Sequence, residues 1–199
     1  MTDKIMARLK GVIMLRAEVY RAIADDPAAT QEAWIVFVVA TVLSSLNSFF
    51  AYSSTSGSSS FTFFGGIVGI LLALIIGAVG LYFTAFVLAW VAKQFGGKTS
   101  TDEMLRVSGY VKVFSVIGVI NLFAAIIPVL GCLTAPISLA VAVLGLIGYV
   151  IGVREAAEFS TGNAVITAII AAVVNFVIVV LIGGAIVTFV VLALSGLPH

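Results

Sequence analysis

The sequence predicts an all-α integral membrane protein, with five transmembrane helices in a compact bundle and an N-terminal interfacial amphipathic helix. Hydrophobic residues make up 62% of the 199 residues and charged residues 10%, whereas soluble globular chains have about 45–50% and about 25%. The apolar residues come in long continuous runs, and barrel strands would instead alternate polar and apolar positions. Only helices satisfy the backbone polar groups of such runs in lipid.

The N-terminal segment, residues 1–32, is predicted to be cytoplasmic and amphipathic. Its apolar stripe at helical spacing consists of Ile5, Leu9, Val12, Val19 and Ile23. A helix with such a stripe can lie on the membrane with its apolar face among the lipid headgroups. The alternative is a short helix that packs on the protein's own loops.

Five apolar blocks are long enough to cross a bilayer, which takes roughly 20 residues. They are residues 33–52, 63–92, 107–130, 133–153 and 164–194, and a short outer tail at 195–199 follows them. Lys112 is the one charged residue within these blocks. The second and fifth blocks exceed the thickness of the hydrocarbon core, so these helices must tilt, kink or project beyond it.

Small residues at four-residue spacing predict close contacts between helices, because they let two backbones approach. The series are Gly65, Gly69, Ala73 and Gly77 in the second span, Gly148 and Gly152 in the fourth, and Ala164, Ala168 and Ala172 in the fifth. Packing within one chain and packing in a homo-oligomer are both consistent with these series.

The distribution of positive charge predicts the orientation in the membrane. All ten Lys and Arg residues lie in the N-terminal segment or in and beside the second and fourth loops. The first loop, the third loop and the C-terminal tail carry none. Because positively charged loops remain in the cytoplasm, the N-terminus is predicted to be cytoplasmic and the C-terminus periplasmic.

Few side chains are suited to catalysis or metal binding. A single cysteine, Cys132, allows no internal disulfide, and no group of Cys, His and carboxylates has the make-up of a zinc site. The single histidine, His199, lies on the predicted outer side, away from every Asp. We therefore expect no enzyme, no cofactor and no metal. The near balance of acidic and basic residues also argues against nucleic-acid binding.

Three asparagines lie within the apolar blocks, where polar residues can mark a functional site. They are Asn47, Asn121 and Asn175. Two interpretations remain open. The three side chains could converge on a polar path through the membrane, or each could hydrogen-bond a neighbouring helix.

The two predicted cytoplasmic loops contain the most distinctive motifs. The first motif includes Gly96, Gly97, Arg106, Gly109 and Tyr110, and the second includes Arg154, Glu155, Ser160 and Gly162. Residues 99–101, followed by Asp102 and Glu103, predict the start of a helix.

Both motifs flank the same membrane interface, where a cation without a partner is costly. We therefore expect an ion pair between Arg106 or Lys112 in the first motif region and Glu155 or Glu158 in the second. Such a pair would join the third span to the end of the fourth.

The two motifs, in this order and with five spans, resemble the Yip domain family, named for eukaryotic Ypt/Rab-interacting proteins. The resemblance covers roughly residues 25–194 and implies a non-enzymatic, multi-pass membrane protein. Eukaryotic members act with small GTPases at Golgi and endoplasmic-reticulum membranes and have a long N-terminal region with an aromatic–Gly–Pro signature. Here 32 residues precede the first span, so the chain looks like the bacterial branch of the family, in the inner membrane.

Two functions follow as hypotheses. The first is a membrane organiser or adaptor with a cytoplasmic working face, whose partners are membrane lipids, a cytoplasmic protein or further copies of the chain. The alternative is a small transporter or channel for lipid or a neutral solute, which could require a homo-oligomer. A water-filled cavity between the spans would favour the alternative, and a tight, dry bundle would favour the first.

The charge distribution makes a direct prediction about topology. A reporter fused after His199 is expected to give a periplasmic signal, and one inserted at residues 95–98 a cytoplasmic signal, because positive loops are retained inside. The measurement is paired alkaline phosphatase and fluorescent-protein activity in whole cells. The reverse pattern would contradict the orientation.

Overall fold

The chain is helical along most of its length, as the apolar runs predict. The computed structural model describes residues 2–53, 58–120, 129 and 131–195. The α-helices are α1 Thr2–Ile13, α2 Ala17–Asp25, α3 Ala29–Ser44, α4 Phe63–Gln94, α5 Thr101–Val111, α6 Gly131–Ala157 and α7 Thr161–Ser195. A first 3₁₀ helix, Leu46–Phe49, follows α3, and a second, Lys112–Val119, follows α5.

Three helical stretches are long and apolar enough to cross a membrane. They are Ala29–Phe49, Phe63–Gln94 and Thr134–Ala157. The apolar stretch Thr161–Val177 in α7 is shorter, although α7 itself extends over 35 residues. These helices establish a multi-pass membrane protein.

The third predicted span, residues 107–130, does not form one continuous α-helix. It begins inside α5, which ends at Val111, and the chain then continues as the second 3₁₀ helix. Residues 121–128 and 130 lie outside the described residues. Met104, Val107 and Tyr110 of α5 are buried against neighbouring helices. The first turn of the predicted span therefore belongs to a packed amphipathic helix at the end of the bundle.

The apolar stripe of the N-terminal segment packs on the protein, so the prediction that it faces the headgroups is wrong. The helix is interrupted near Leu15, which has a φ of 56°, so the segment forms two helices instead of one. Gly11 leaves room for Val19 to pack on α1, and α2 lies against α5 and α6. Val12 and Ile23 are fully buried. The alternative correctly expects contact with the protein, but the segment packs on helices and not on loops.

The buried core lies at one end of the bundle, which we call the charged end because the ion pairs of the described residues gather there. Its largest buried side chains include Tyr20, Tyr110, Phe37, Ile23, Leu88 and Met104. Elsewhere, the outer faces of α4, α6 and α7 expose large apolar residues such as Ile76, Leu146 and Phe176. An apolar exterior of this extent is suited to lipid contact.

The polar break after the first block forms a short antiparallel hairpin. Strands β1 Phe50–Ser53 and β2 Ser58–Phe61 pair with Phe50 opposite Phe61. The Phe49 ring stacks on the Phe61 ring at 5.8 Å between centroids and lies directly against Gly66 of α4. Aromatic packing thus closes the end of the bundle where α3 passes into α4.

The small-residue series have two different roles. A Cβ added at Gly69 would lie 2.7 Å from Ser48 Cβ, and one at Gly77 would lie 3.0 Å from the Phe37 ring, so these glycines pack within the chain. Ala168 and Ala172, in contrast, line a cavity between helices, as does Gly80, where a Cβ would meet nothing within 4 Å.

The glycine environments predict opposite effects of one methyl group. Gly152→Ala would place a Cβ into the buried Val107 side chain, which should lower the free energy of unfolding by about 1–3 kcal/mol. The matched control is Gly80→Ala, which should leave stability unchanged or slightly raised because helical alanine is favoured over glycine. Denaturation in detergent measures both, and equal behaviour of the two variants would contradict the packing at Gly152.

Candidate functional site

The two sequence motifs meet at the charged end of the bundle. The backbone N–H of Lys98, in the first motif, donates to the carbonyl oxygen of Ala157, in the second, at 3.0 Å. The Phe159 ring lies against Gly97, where an added Cβ would be 2.7 Å from it. We call this surface, together with α1, α2 and α5, the platform.

The first motif ends α4 and starts α5 through local backbone chemistry. Gly96 has a φ of 80°, which glycine adopts without a Cβ penalty. Its N–H donates to the Lys93 carbonyl at 3.1 Å, and the Gly97 N–H donates to the Ala92 carbonyl at 2.9 Å, the two bonds of a Schellman cap. Ser100 and Glu103 then form a reciprocal capping box, which confirms the predicted helix start.

Arg106 does not pair with Glu155 or Glu158, so this part of the expected ion pair is wrong. Its Nε donates to Thr30 Oγ1 at 2.9 Å, and its Nη1 donates to the carbonyl oxygen of Ala24. Ala24 lies in the last turn of α2, where free carbonyls attract a cation. The corner between α2 and α3 therefore supplies the partners of this buried guanidinium.

The acids of the second motif pair with other arginines. Glu155 accepts a bond from Arg154 Nη2 at 2.6 Å, and Glu158 accepts one from Arg21 of α2. Arg21 also donates to the backbone oxygen of Glu155 at 2.9 Å and to Asp25 at 2.8 Å. The second motif is thus bound to the N-terminal helices rather than to α5.

Lys112, the other cation in the expected pair, forms no ion pair with any carboxylate in the part of the chain that the structure describes. It lies at the C-terminal cap of α5 and lines the cavity between helices. The predicted link between Lys112 and the second motif is therefore also wrong.

Glu32 at the start of α3 connects three helices and was not singled out by the sequence. Its side chain is 5% exposed and accepts bonds from Arg8 Nη1 and from the Tyr110 hydroxyl, both at 2.5 Å. Arg8 also binds Asp26 at 2.6 Å, and Lys4 binds the same carboxylate at 2.8 Å. The signal available in the sequence was an acid directly before an apolar block.

The cations around Asp26 change its titration. The Lys4 ammonium and the Arg8 guanidinium hold the pKa of the Asp26 carboxyl well below its usual range, helped by the Ala28 backbone N–H. In the folded protein, the Asp26 carboxyl is therefore ionised at neutral pH. Burial alone would lower the pKa of the Arg8 guanidinium, but the interactions of Arg8 with Asp26, Glu32 and Tyr110 raise it above its usual value.

Two further motif residues, Gly109 and Ser160, have structural roles that their types explain, whereas the surroundings of Gly162 leave room for a side chain. At Gly109 an added Cβ would lie 2.8 Å from Ala33 Cβ, so the glycine brings α5 close enough for Tyr110 to reach Glu32. Ser160 Oγ accepts the Asn163 backbone N–H at 3.3 Å and thereby caps α7. Gly162 lies in the first turn of α7, where an added Cβ would meet only Ser160 Oγ, at 3.9 Å.

The two described asparagines have different surroundings. Asn175 accepts a bond from Thr84 Oγ1 at 3.0 Å and donates to the Ala171 carbonyl at 2.8 Å, which matches the helix-bonding interpretation. Asn47 is exposed in the first 3₁₀ helix. Asn121 lies outside the described residues.

The buried pair of Arg8 and Glu32 predicts a large loss of stability when one partner is removed. Arg8→Met leaves the Glu32 carboxylate without its cation, which should lower the free energy of unfolding by about 3–5 kcal/mol. The control is Lys10→Met on the same helix, where the side chain is exposed and the change should stay within about 0.5 kcal/mol. Unfolding in detergent is the measurement, and similar losses in both variants would argue against the buried pair.

Comparison with known proteins agrees with the motifs and the helices. The Yip1 domain matches residues 10–196, nearly the whole chain and both motifs of the platform. No curated protein and no solved structure matches the chain significantly. With its apolar helices and its converging motif loops, this chain belongs to the Yip1 domain family.

Proposed function

We propose that the protein is a non-enzymatic membrane organiser or adaptor that works through the platform. The carrying observation is that both motifs and the N-terminal helices converge on one surface, through Lys98 with Ala157, Arg21 with Glu158 and Arg8 with Glu32. These links join segments far apart in sequence and hold the surface in one arrangement. A preformed surface suits binding, because little ordering entropy is lost on association.

The rim of the platform has the composition of a partner-binding surface. Phe95 is 39% exposed, and Lys98 and Asp102 beside it are also exposed. An exposed aromatic ring with charged neighbours is typical of a polar-rimmed protein interface. A cytoplasmic protein partner is the occupant that we propose for this rim.

The proposed orientation places the platform in the cytoplasm of a bacterial cell, with five spans and a periplasmic C-terminus. Support comes from the positive residues that gather at the charged end, because such residues are retained inside. The 35 residues of α7 are enough to supply the last of the five crossings in this proposal.

The proposal also gives α1 a contact with lipid headgroups, through a different face from the predicted stripe. Met6 is 61% exposed, and Ile13 and Met14 are each 53% exposed. They lie beside Lys10, around a shallow apolar groove. Apolar side chains next to a lysine suit the boundary between acyl chains and anionic headgroups.

Photo-crosslinking in native membranes tests the organiser proposal. A photoreactive phenylalanine replaces Phe95, Lys98 or Asp102 on the rim, and Phe63 or Phe64 serves as the matched exposed control at the other end of α4. Discrete protein adducts are expected from the rim positions and not from the controls. Adducts from neither end, or equally from both, would overturn a working surface at the platform.

A second candidate function, transport of lipid, is favoured by the cavity between helices. Its lining is mostly apolar, and of the two described asparagines it includes Asn175 and not Asn47. The cavity thus supports the lipid form of the alternative over the neutral-solute form. A fluorescent phospholipid scrambling assay in proteoliposomes tests this candidate, and transport no faster than in protein-free liposomes would reject it.

A further inference from the structure

We propose that the cavity between α4, α6, α7 and the α5–3₁₀ junction binds the acyl chain of an anionic amphiphile whose head group pairs with Lys112. The inference goes beyond the organiser function, since it assigns a ligand to a site inside the bundle and away from the platform rim. Its basis is the size of the cavity, the chemistry of its lining and the position of one cation.

The cavity has a volume and a length along α7 that accommodate an acyl chain. Its volume is about 860 Å³, within the range of about 300–1,000 Å³ that is usual for small-molecule sites. It follows α7 from Val165 to Asn175, which corresponds to roughly 15 Å at the helical rise per residue. Residues with little or no side chain leave this space open, namely Gly80, Ala168 and Ala172.

Three of the polar side chains in the lining have partners of their own. Thr84 and Asn175 bond to each other at 3.0 Å, and Ser115 Oγ donates to the Lys112 carbonyl at 2.7 Å. The rest of the lining is mostly apolar, with Leu81, Leu146 and Ile169 among its larger side chains. A ligand with many polar groups along its length would find few partners here.

Lys112 supplies the charge that selects the ligand. It lines the cavity and forms no ion pair with a carboxylate among the described residues. A cation beside an apolar cavity favours an anion that is joined to an apolar chain, because the two parts then satisfy the charge and fill the space together. Lys112 also lies towards the charged end, and Asn175 lies deeper in the bundle, so the head group sits at the lysine and the chain extends along α7.

Fatty acids and anionic phospholipids both have this chemistry, and the experiment separates them. The full-length chain is purified in detergent, stripped of lipid and titrated with oleate, dioleoylphosphatidylglycerol or dioleoylphosphatidylcholine under native mass spectrometry. At least one anionic probe is expected to bind as a single copy, at least about tenfold more tightly than phosphatidylcholine. Binding of oleate alone identifies a fatty-acid site, and binding of phosphatidylglycerol identifies a phospholipid site.

Two variants test the geometry independently. Lys112→Gln removes the charge, and Gly80→Leu fills the cavity where an added side chain meets nothing; each is expected to weaken anionic binding by about tenfold or more. The controls are Lys93→Gln, a charge change outside the cavity, and Val79→Leu, a change at an outward-facing position. Circular dichroism and melting in detergent confirm that each variant is folded.

The proposal is overturned if no anionic probe binds the wild-type chain, if phosphatidylcholine binds equally well, or if both folded variants bind like the wild type. The crosslinking test of the platform does not depend on these results, because its positions lie outside the cavity. Failure of the lipid site and failure of the organiser function can therefore be distinguished.

Discussion

The burial of a carboxylate at the start of α3 is the constraint on which the charged end depends. Glu32 is almost inaccessible to solvent, and a buried charge is tolerated only with partners. The two partners come from α1 and α5 through Arg8 and Tyr110. One side chain therefore determines where the N-terminal helix lies and how closely α5 approaches α3. Gly109 permits that approach because it has no Cβ to collide with Ala33.

The motif loops act on this arrangement through backbone geometry and packing. Gly96 allows α4 to end in a left-handed turn, Ser100 caps the next helix, and Gly97 accepts the Phe159 ring from the second motif. The acids of the second motif bind two arginines, Arg21 of α2 and Arg154 of α6. The motif residues thus hold the platform together, while the side chains of Phe95, Lys98 and Asp102 on its rim stay exposed.

The small residues of the apolar helices show how one composition can serve two purposes. Gly69 and Gly77 remove side chains where Ser48 and Phe37 need room, so they bring α4 onto the α3 segment. Gly80, one turn further along α4, faces open space instead. The neighbouring helix decides between the two outcomes. Where one of its side chains fills the space beside a small residue, the helices are in contact, and where none does, a cavity remains. The same spacing that predicts close packing therefore also produces a cavity.

The sequence by itself determined the class of the protein, the helical state of its apolar runs and the start of α5. These features depend on local composition and on the absence of water in the bilayer. Every residue of an apolar run meets that same environment, so no long-range contact is needed to predict its helical state. Only the tertiary structure decided which cation meets which anion, which face of the N-terminal segment is buried and where the third predicted span leaves α-helical geometry. The expected pairing of Arg106 with Glu155 or Glu158 identified the correct end of the bundle but the wrong partners. Differences of a few ångströms decide which groups form a hydrogen bond, and sequence spacing does not resolve such differences. The corner between α2 and α3, which no spacing in the sequence reveals, fills the place beside Arg106.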